Sequence, residues 1–99
     1  MVLKVSAASL GASAATESAV AAGAAAATSV ASTALIGAVP MGADLDSVQF
    51  AEALNAAGAA YIATSSEHCV NRGLFAGAQN VAAATYTVTD VINNTALAL

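Results

Sequence analysis

A single proline divides this chain into two stretches that nothing else in the sequence clearly interrupts. Pro40 stands within Gly37-Ala38-Val39-Pro40-Met41-Gly42-Ala43-Asp44-Leu45-Asp46-Ser47 and is the only proline in 99 residues. It lacks a backbone donor and pushes the residue before it, Val39, out of the helical region. Gly37 is well placed to end one helix. Asp44, Asp46 and Ser47 suit the start of the next, where acids meet the positive end of the helix dipole. Asp46 with Gln49 three residues later has the spacing of a weak capping box. The pattern predicts one all-α domain over residues 1–99: a helix over about 6–36, a turn over 37–46 and a second helix over about 47–93. The two long helices run antiparallel as a hairpin.

Composition favours those helices but not an independent core. Thirty residues are alanine, whereas Val, Leu, Ile and Phe together number 23 and Trp is absent. Alanine loses no side-chain entropy in a helix. It also buries little apolar area, and burial is what offsets the cost of ordering a chain. Such a hairpin needs company, and a four-helix bundle completed by a partner is the expected arrangement.

Charge narrows the choice of partner. Only 8% of residues are charged, the formal net charge is −4, and Lys4 and Arg72 are the only fixed cations. No nucleic-acid partner is expected, because phosphate recognition needs clustered Lys and Arg. The same shortage argues against attachment to an anionic membrane surface. The stretch between Glu17 and Asp44 carries no charge. It is long enough for a membrane span, yet it is mostly Ala, Gly, Ser and Thr rather than the Leu, Ile, Phe and Val that favour insertion. The start lacks the compact apolar segment of a signal peptide. Cys69 is the single cysteine, so no intramolecular disulfide is available.

The second helix carries the clearest periodicity. Leu54, Tyr61, His68 and Phe75 are seven apart, with Phe50 and Ala57 on the same face. Leu74, Val81 and Val88 form another row, continued by Ile92. Seven-residue spacing marks a stripe along a helix, as in coiled-coil packing. Two stripes suit two neighbours: one is the first helix, and the other comes from outside the chain. Phe50, Leu54, Tyr61, Ile62, Phe75, Val81 and Val88 are the candidate partner-interface residues. Gly58, Gly73 and Gly77 inside the same helix each cost about 1 kcal/mol relative to Ala. They point to close packing, or to a kink near Gly73-Leu74-Phe75-Ala76-Gly77.

No catalytic, cofactor-binding or metal-binding set emerges, and the chain is not expected to be an enzyme. His68 lies between Glu67 and Cys69, but adjacent helical residues diverge. The positions that share its face hold Thr64, Ser65, Asn71 and Arg72, none of them a carboxylate. Phosphate-loop, zinc and nucleophile-elbow patterns are missing. Tyr86 and Asp90, four apart, do share a helical face.

These features together resemble the N-terminal domain of the mycobacterial PE family over nearly the whole chain. The opening Met1-Val2-Leu3-Lys4-Val5, followed by an Ala/Ser-rich helix with Leu10, is similar to several short members. Val39-Pro40-Met41-Gly42-Ala43-Asp44 resembles the family's interhelical turn, in which Val39, Pro40 and Asp44 are the marking positions. Val48 and Phe50 stand where the family's second helix begins, and Tyr86 with Asp90 matches its Tyr-x-x-x-Asp/Glu export pattern. The Pro-Glu pair that names the family is replaced here by Ala7-Ala8. The resemblance implies a non-catalytic domain that forms a heterodimer with a PPE protein. It also implies export by a type VII secretion system to the cell envelope or beyond, with Tyr86 and Asp90 in the signal and a cytosolic chaperone contacting the PPE partner. The alternatives are a small secreted hairpin of the WXG100 type, whose turn carries a Trp that is missing here, and a membrane-embedded pair of Ala/Gly-rich helices.

Overall fold

A computed structural model describes residues 4–98 of the chain, so Met1-Val2-Leu3 of the family-like opening lies outside the described residues. Two long helices make up the fold, α1 over Ala7–Leu35 and α2 over Leu45–Leu97. The chain is an all-helical hairpin. Ser6 caps α1, its hydroxyl oxygen accepting the Ser9 N–H at 3.1 Å. Asp44 caps α2: its carboxylate accepts the Ser47 N–H at 2.9 Å and the Ser47 hydroxyl at 2.8 Å. These bonds hold the Asp44 carboxyl below its ordinary value of 3.8. The cap is therefore Asp44 rather than Asp46, and α2 begins two residues earlier than the sequence pattern predicts.

Helix α2 also runs four residues beyond the expected end at 93. Neither Gly nor Pro follows Asn93-Asn94, so nothing forces a stop. The Thr95 hydroxyl donates back to the Val91 carbonyl at 2.9 Å. The kink considered near Gly73 and Gly77 is absent, since α2 passes through both without interruption. A Cβ at either glycine would meet nothing within 4 Å.

The hairpin divides into two compact units. The turn half spans Ala21–Val70, and the distal half combines α1 up to Val20 with α2 from Asn71 onward.

In the turn half, the residues of α2 that face α1 are Ala51, Asn55, Gly58, Ile62, Ser65 and Cys69, all buried or half-buried. They alternate in steps of four and three, the pattern of left-handed helix pairing. Opposite them on α1 lie buried Ala21 and half-buried Thr28, Ser32 and Leu35. The Thr28 and Ser65 hydroxyls bond across this seam at 2.8 Å. At its closed end, the Asn55 side chain makes two bonds to one backbone unit: the Ala38 N–H donates to Oδ1 at 2.8 Å, and Nδ2 donates to the Ala38 carbonyl at 3.0 Å. Gly58 lies directly against the Leu35 carbonyl, where a Cβ would overlap the oxygen. Gly37 shows no positive φ. It serves the helix end sterically, since a Cβ there would sit 2.5 Å from the Thr33 carbonyl oxygen.

The Asn55 latch has a measurable consequence. Each of its bonds contributes about 1 kcal/mol, and removing one partner leaves the other unsatisfied. Asn55→Leu is expected to cost about 2 kcal/mol and raise amide exchange at Ala38 by at least tenfold, read by hydrogen-exchange NMR. Unchanged protection at Ala38 would show that the latch does not hold the turn.

In the distal half, Ala14 and Ala76 are buried. Arg72 Nη1 donates to Glu17 Oε2 at 2.8 Å, and Gln79 Nε2 donates to the Ser13 hydroxyl at 2.8 Å. The ion pair is largely solvated, so its worth is at most about 1 kcal/mol. Here too the seam consists of small residues tied by a few polar bonds.

The seam corrects one expectation. Neither apolar stripe of α2 faces α1. A third row, built from small residues, does so, because two helices approach closely only where side chains are short. Each buried alanine methyl contributes about 0.8 kcal/mol, against about 1.5–3 kcal/mol for a fully buried Leu or Phe. Among the described residues, the buried hydrophobic positions are only Ala14, Ala21, Ala51 and Ala76. The hairpin thus closes mostly on small residues, with Leu35 and Ile62 half-buried beside them, and leaves most of the larger side chains outside.

Candidate partner interface

The side chains left outside are those the sequence pattern selects. In the turn half, Phe50, Leu54 and Tyr61 are exposed, and His68 continues their row. In the distal half, Phe75, Leu74, Val81, Val88, Val91 and Ile92 are exposed. Heptad geometry turns the Phe50–Leu54–Tyr61 row about 100° away from the seam around the axis of α2. The row through Val81 and Val88 lies nearly opposite the seam by the same count. Each row is therefore free to take a helix without disturbing α1.

Ile62 differs from the other candidate interface residues. It belongs to the seam row and is half-buried. With Ala25, Thr28, Ser65 and Cys69 it lines a groove of about 380 Å³ between the helices. The period-seven stripe through Tyr61 gave no means of separating Ile62 from its neighbour. The seam spacing of 51, 55, 58, 62, 65 and 69 does so.

The total accessible surface is 7171 Å² for 9.4 kDa. A globular monomer of this mass exposes about 5,000 Å². The excess of about 2,000 Å² is more than the roughly 800 Å² that each partner contributes to a standard protein–protein interface.

Tyr86 and Asp90 occupy α2 in the distal half. Tyr86 is 43% exposed. Both residues line a depression of about 440 Å³ with Lys4, Val5 and Thr89. Their positions continue the four–three seam spacing of α2 beyond Ala76, Gln79 and Ala83. The helical partner α1 begins only at Ala7, so the segment before it, Lys4-Val5, lines the depression instead. The motif is solvent-facing and belongs to a seam whose second helix has ended.

Other candidate groups stay apart. Among the described residues, no three His, Cys, Asp or Glu side chains come together as a metal site. Cys69 is a half-buried free thiol on the seam. His68 is exposed on the Tyr61 row. Helix α1 is long and apolar enough to cross a membrane by length and composition.

Sequence reasoning missed the Asn55 latch and the Thr28–Ser65 bond. Both sit on the four–three spacing of small residues, which marks the seam once large and small side chains are tracked separately.

No protein-family model matches the chain, and comparison with curated proteins and with solved structures returns no significant match.

Proposed function

We propose that this hairpin is a non-catalytic, PE-like pairing protein that forms a heterodimer with a PPE-type helical protein. The complex is exported by a type VII secretion system to the cell surface or beyond. The observation that carries the pairing is the inversion of its packing: among the described residues the buried hydrophobic side chains are all alanines, while Phe50, Leu54, Tyr61, Phe75, Val81 and Val88 face out. Covering such residues is the main source of free energy in helix association. Two helices from the partner, one on each row, would complete a four-helix bundle, whose cores are built from rows spaced in this way. The Val39-Pro40 turn and Tyr86 with Asp90 support the PE-like identity through the motifs they resemble. Chaperone contact falls to the PPE partner.

Export is the part of this reading that Tyr86 and Asp90 carry. Tyr86→Ala and Asp90→Ala are each expected to abolish secretion and leave the heterodimer intact. Immunoblots of culture filtrate and co-purification from the cytosol read the two effects separately. Secretion of both variants at the normal level would remove the motif from the signal.

A further inference from the structure

In the distal half, α2 outruns α1, and the residues that precede α1 stand where that helix would have continued. Beyond Ala83 every described residue of α2 is exposed, and α1 begins only at Ala7. Tyr86 and Asp90 lie on this uncovered stretch, three and seven residues past Ala83. Their depression is lined from outside α2 by Lys4 and Val5. All of these residues belong to the distal half.

A local device aims Lys4 and Val5 at that stretch. Ser6 caps α1: its hydroxyl accepts the Ser9 N–H and its carbonyl accepts the Leu10 N–H, both at 3.1 Å. Val5 therefore holds the position before the cap and Leu10 the fourth position of the helix. That is the spacing of a hydrophobic staple, which fixes the angle at which a chain enters its helix. Leu10 is half-buried and Val5 is 37% exposed, as partly covered staple residues should be. Lys4 precedes Val5 and brings an ammonium group into the depression that the Asp90 carboxylate also lines. The other fixed cation of the sequence, Arg72, is engaged with Glu17 at 2.8 Å.

We propose that Lys4 and Val5 are positioning residues of the export signal. Aimed by the Ser6 cap, they hold Tyr86 and Asp90 in the arrangement that the secretion machinery reads. The inference rests on the export reading above and makes the signal discontinuous: a Tyr-x-x-x-Asp pair on α2 is not sufficient without the segment before α1. On a bare helix an exposed tyrosine changes rotamer within nanoseconds. With Val5 and Lys4 flanking the pair, less ordering is left to the moment of recognition, and that ordering opposes binding. Lys4 also offsets the Asp90 charge, so an acid in its place would set two like charges in one depression.

The test uses the full chain co-expressed with its partner. Lys4→Glu and Val5→Ser should each lower secretion at least tenfold on immunoblots of culture filtrate, with co-purification of the partner unchanged. Lys4→Arg keeps the charge and should be secreted normally. Val30→Ser alters an exposed apolar residue of α1 in the turn half and should also be secreted normally. In the purified complex, nuclear Overhauser contacts should join the Val5 methyl groups to the Tyr86 ring, and Ser6→Ala should weaken them. Normal secretion of Lys4→Glu and Val5→Ser, while Tyr86→Ala and Asp90→Ala are retained, would overturn the proposal and leave the export reading intact. A defect in Lys4→Arg equal to that of Lys4→Glu, or the lack of any Val5–Tyr86 contact, would overturn it as well. Normal secretion of Tyr86→Ala and Asp90→Ala would remove the export reading itself, whatever Lys4 and Val5 do.

Discussion

Gly58→Ala should destabilise this protein even though it improves the intrinsic helicity of α2. Alanine is favoured over glycine by about 1 kcal/mol in a helix interior. The added Cβ, however, would overlap the Leu35 carbonyl, which is backbone and cannot rotate away. Overpacking of this kind costs about 1–3 kcal/mol, and here relief requires the helices to separate. The seam on both sides of Gly58 holds Ala51, Asn55, Ile62 and Ser65, so separation there loosens the turn half as a whole. Hydrogen exchange should show lost protection at Ala38 and around Thr28 and Ser65. Gly73→Ala and Gly77→Ala supply the contrast: each has open space around it within the chain and should raise the helicity of the isolated protein. A gain in stability from Gly58→Ala would mean that the helices do not meet where the seam places them.

The second large effect concerns the exposed rows. Tyr61→Asp and Phe75→Asp alter side chains that face solvent in the hairpin, so the helicity of the lone chain should be unaffected. In a complex, each would bury a carboxylate where an aromatic ring had been. Aromatic anchors at interface centres contribute about 2 kcal/mol or more, and an unpaired buried charge adds a further penalty. Loss of partner co-purification by at least thirtyfold is expected for either variant. Retention of the partner at normal levels by both would show that the row does not form the interface.

The hairpin itself was legible because its signals are local. Pro40 with Gly37 and the acids after it mark the turn, and alanine content sets the helices. The exposed rows were legible as well, since Leu54, Tyr61 and Phe75 repeat every seven residues. What the sequence hid was the identity of the face that meets α1. Periodicity in large residues reports where burial would be most favourable, which under the proposed pairing is the surface a partner would cover. The intramolecular seam follows the opposite rule, using Ala51, Gly58 and Ser65 because short side chains let the helices approach. Asn55 was hidden for a related reason: an Asn within a helix has no distinguishing local pattern, and its role depends on the turn returning to it from seventeen residues away. The end of α2 at Leu97 lies beyond the expected 93 because neither Pro nor Gly follows Asn93-Asn94 to stop the helix.

The central claim is that this chain folds as half of a bundle, and thermal unfolding of two samples tests it. Followed by circular dichroism, the isolated chain should melt broadly, with little cooperativity, from a partly helical and loosely packed or aggregated state. The chain co-expressed with its partner should melt in one sharp transition at higher temperature, because binding to the folded form alone stabilises it. A sharp transition in the isolated monomer, unchanged by the partner, would contradict the account.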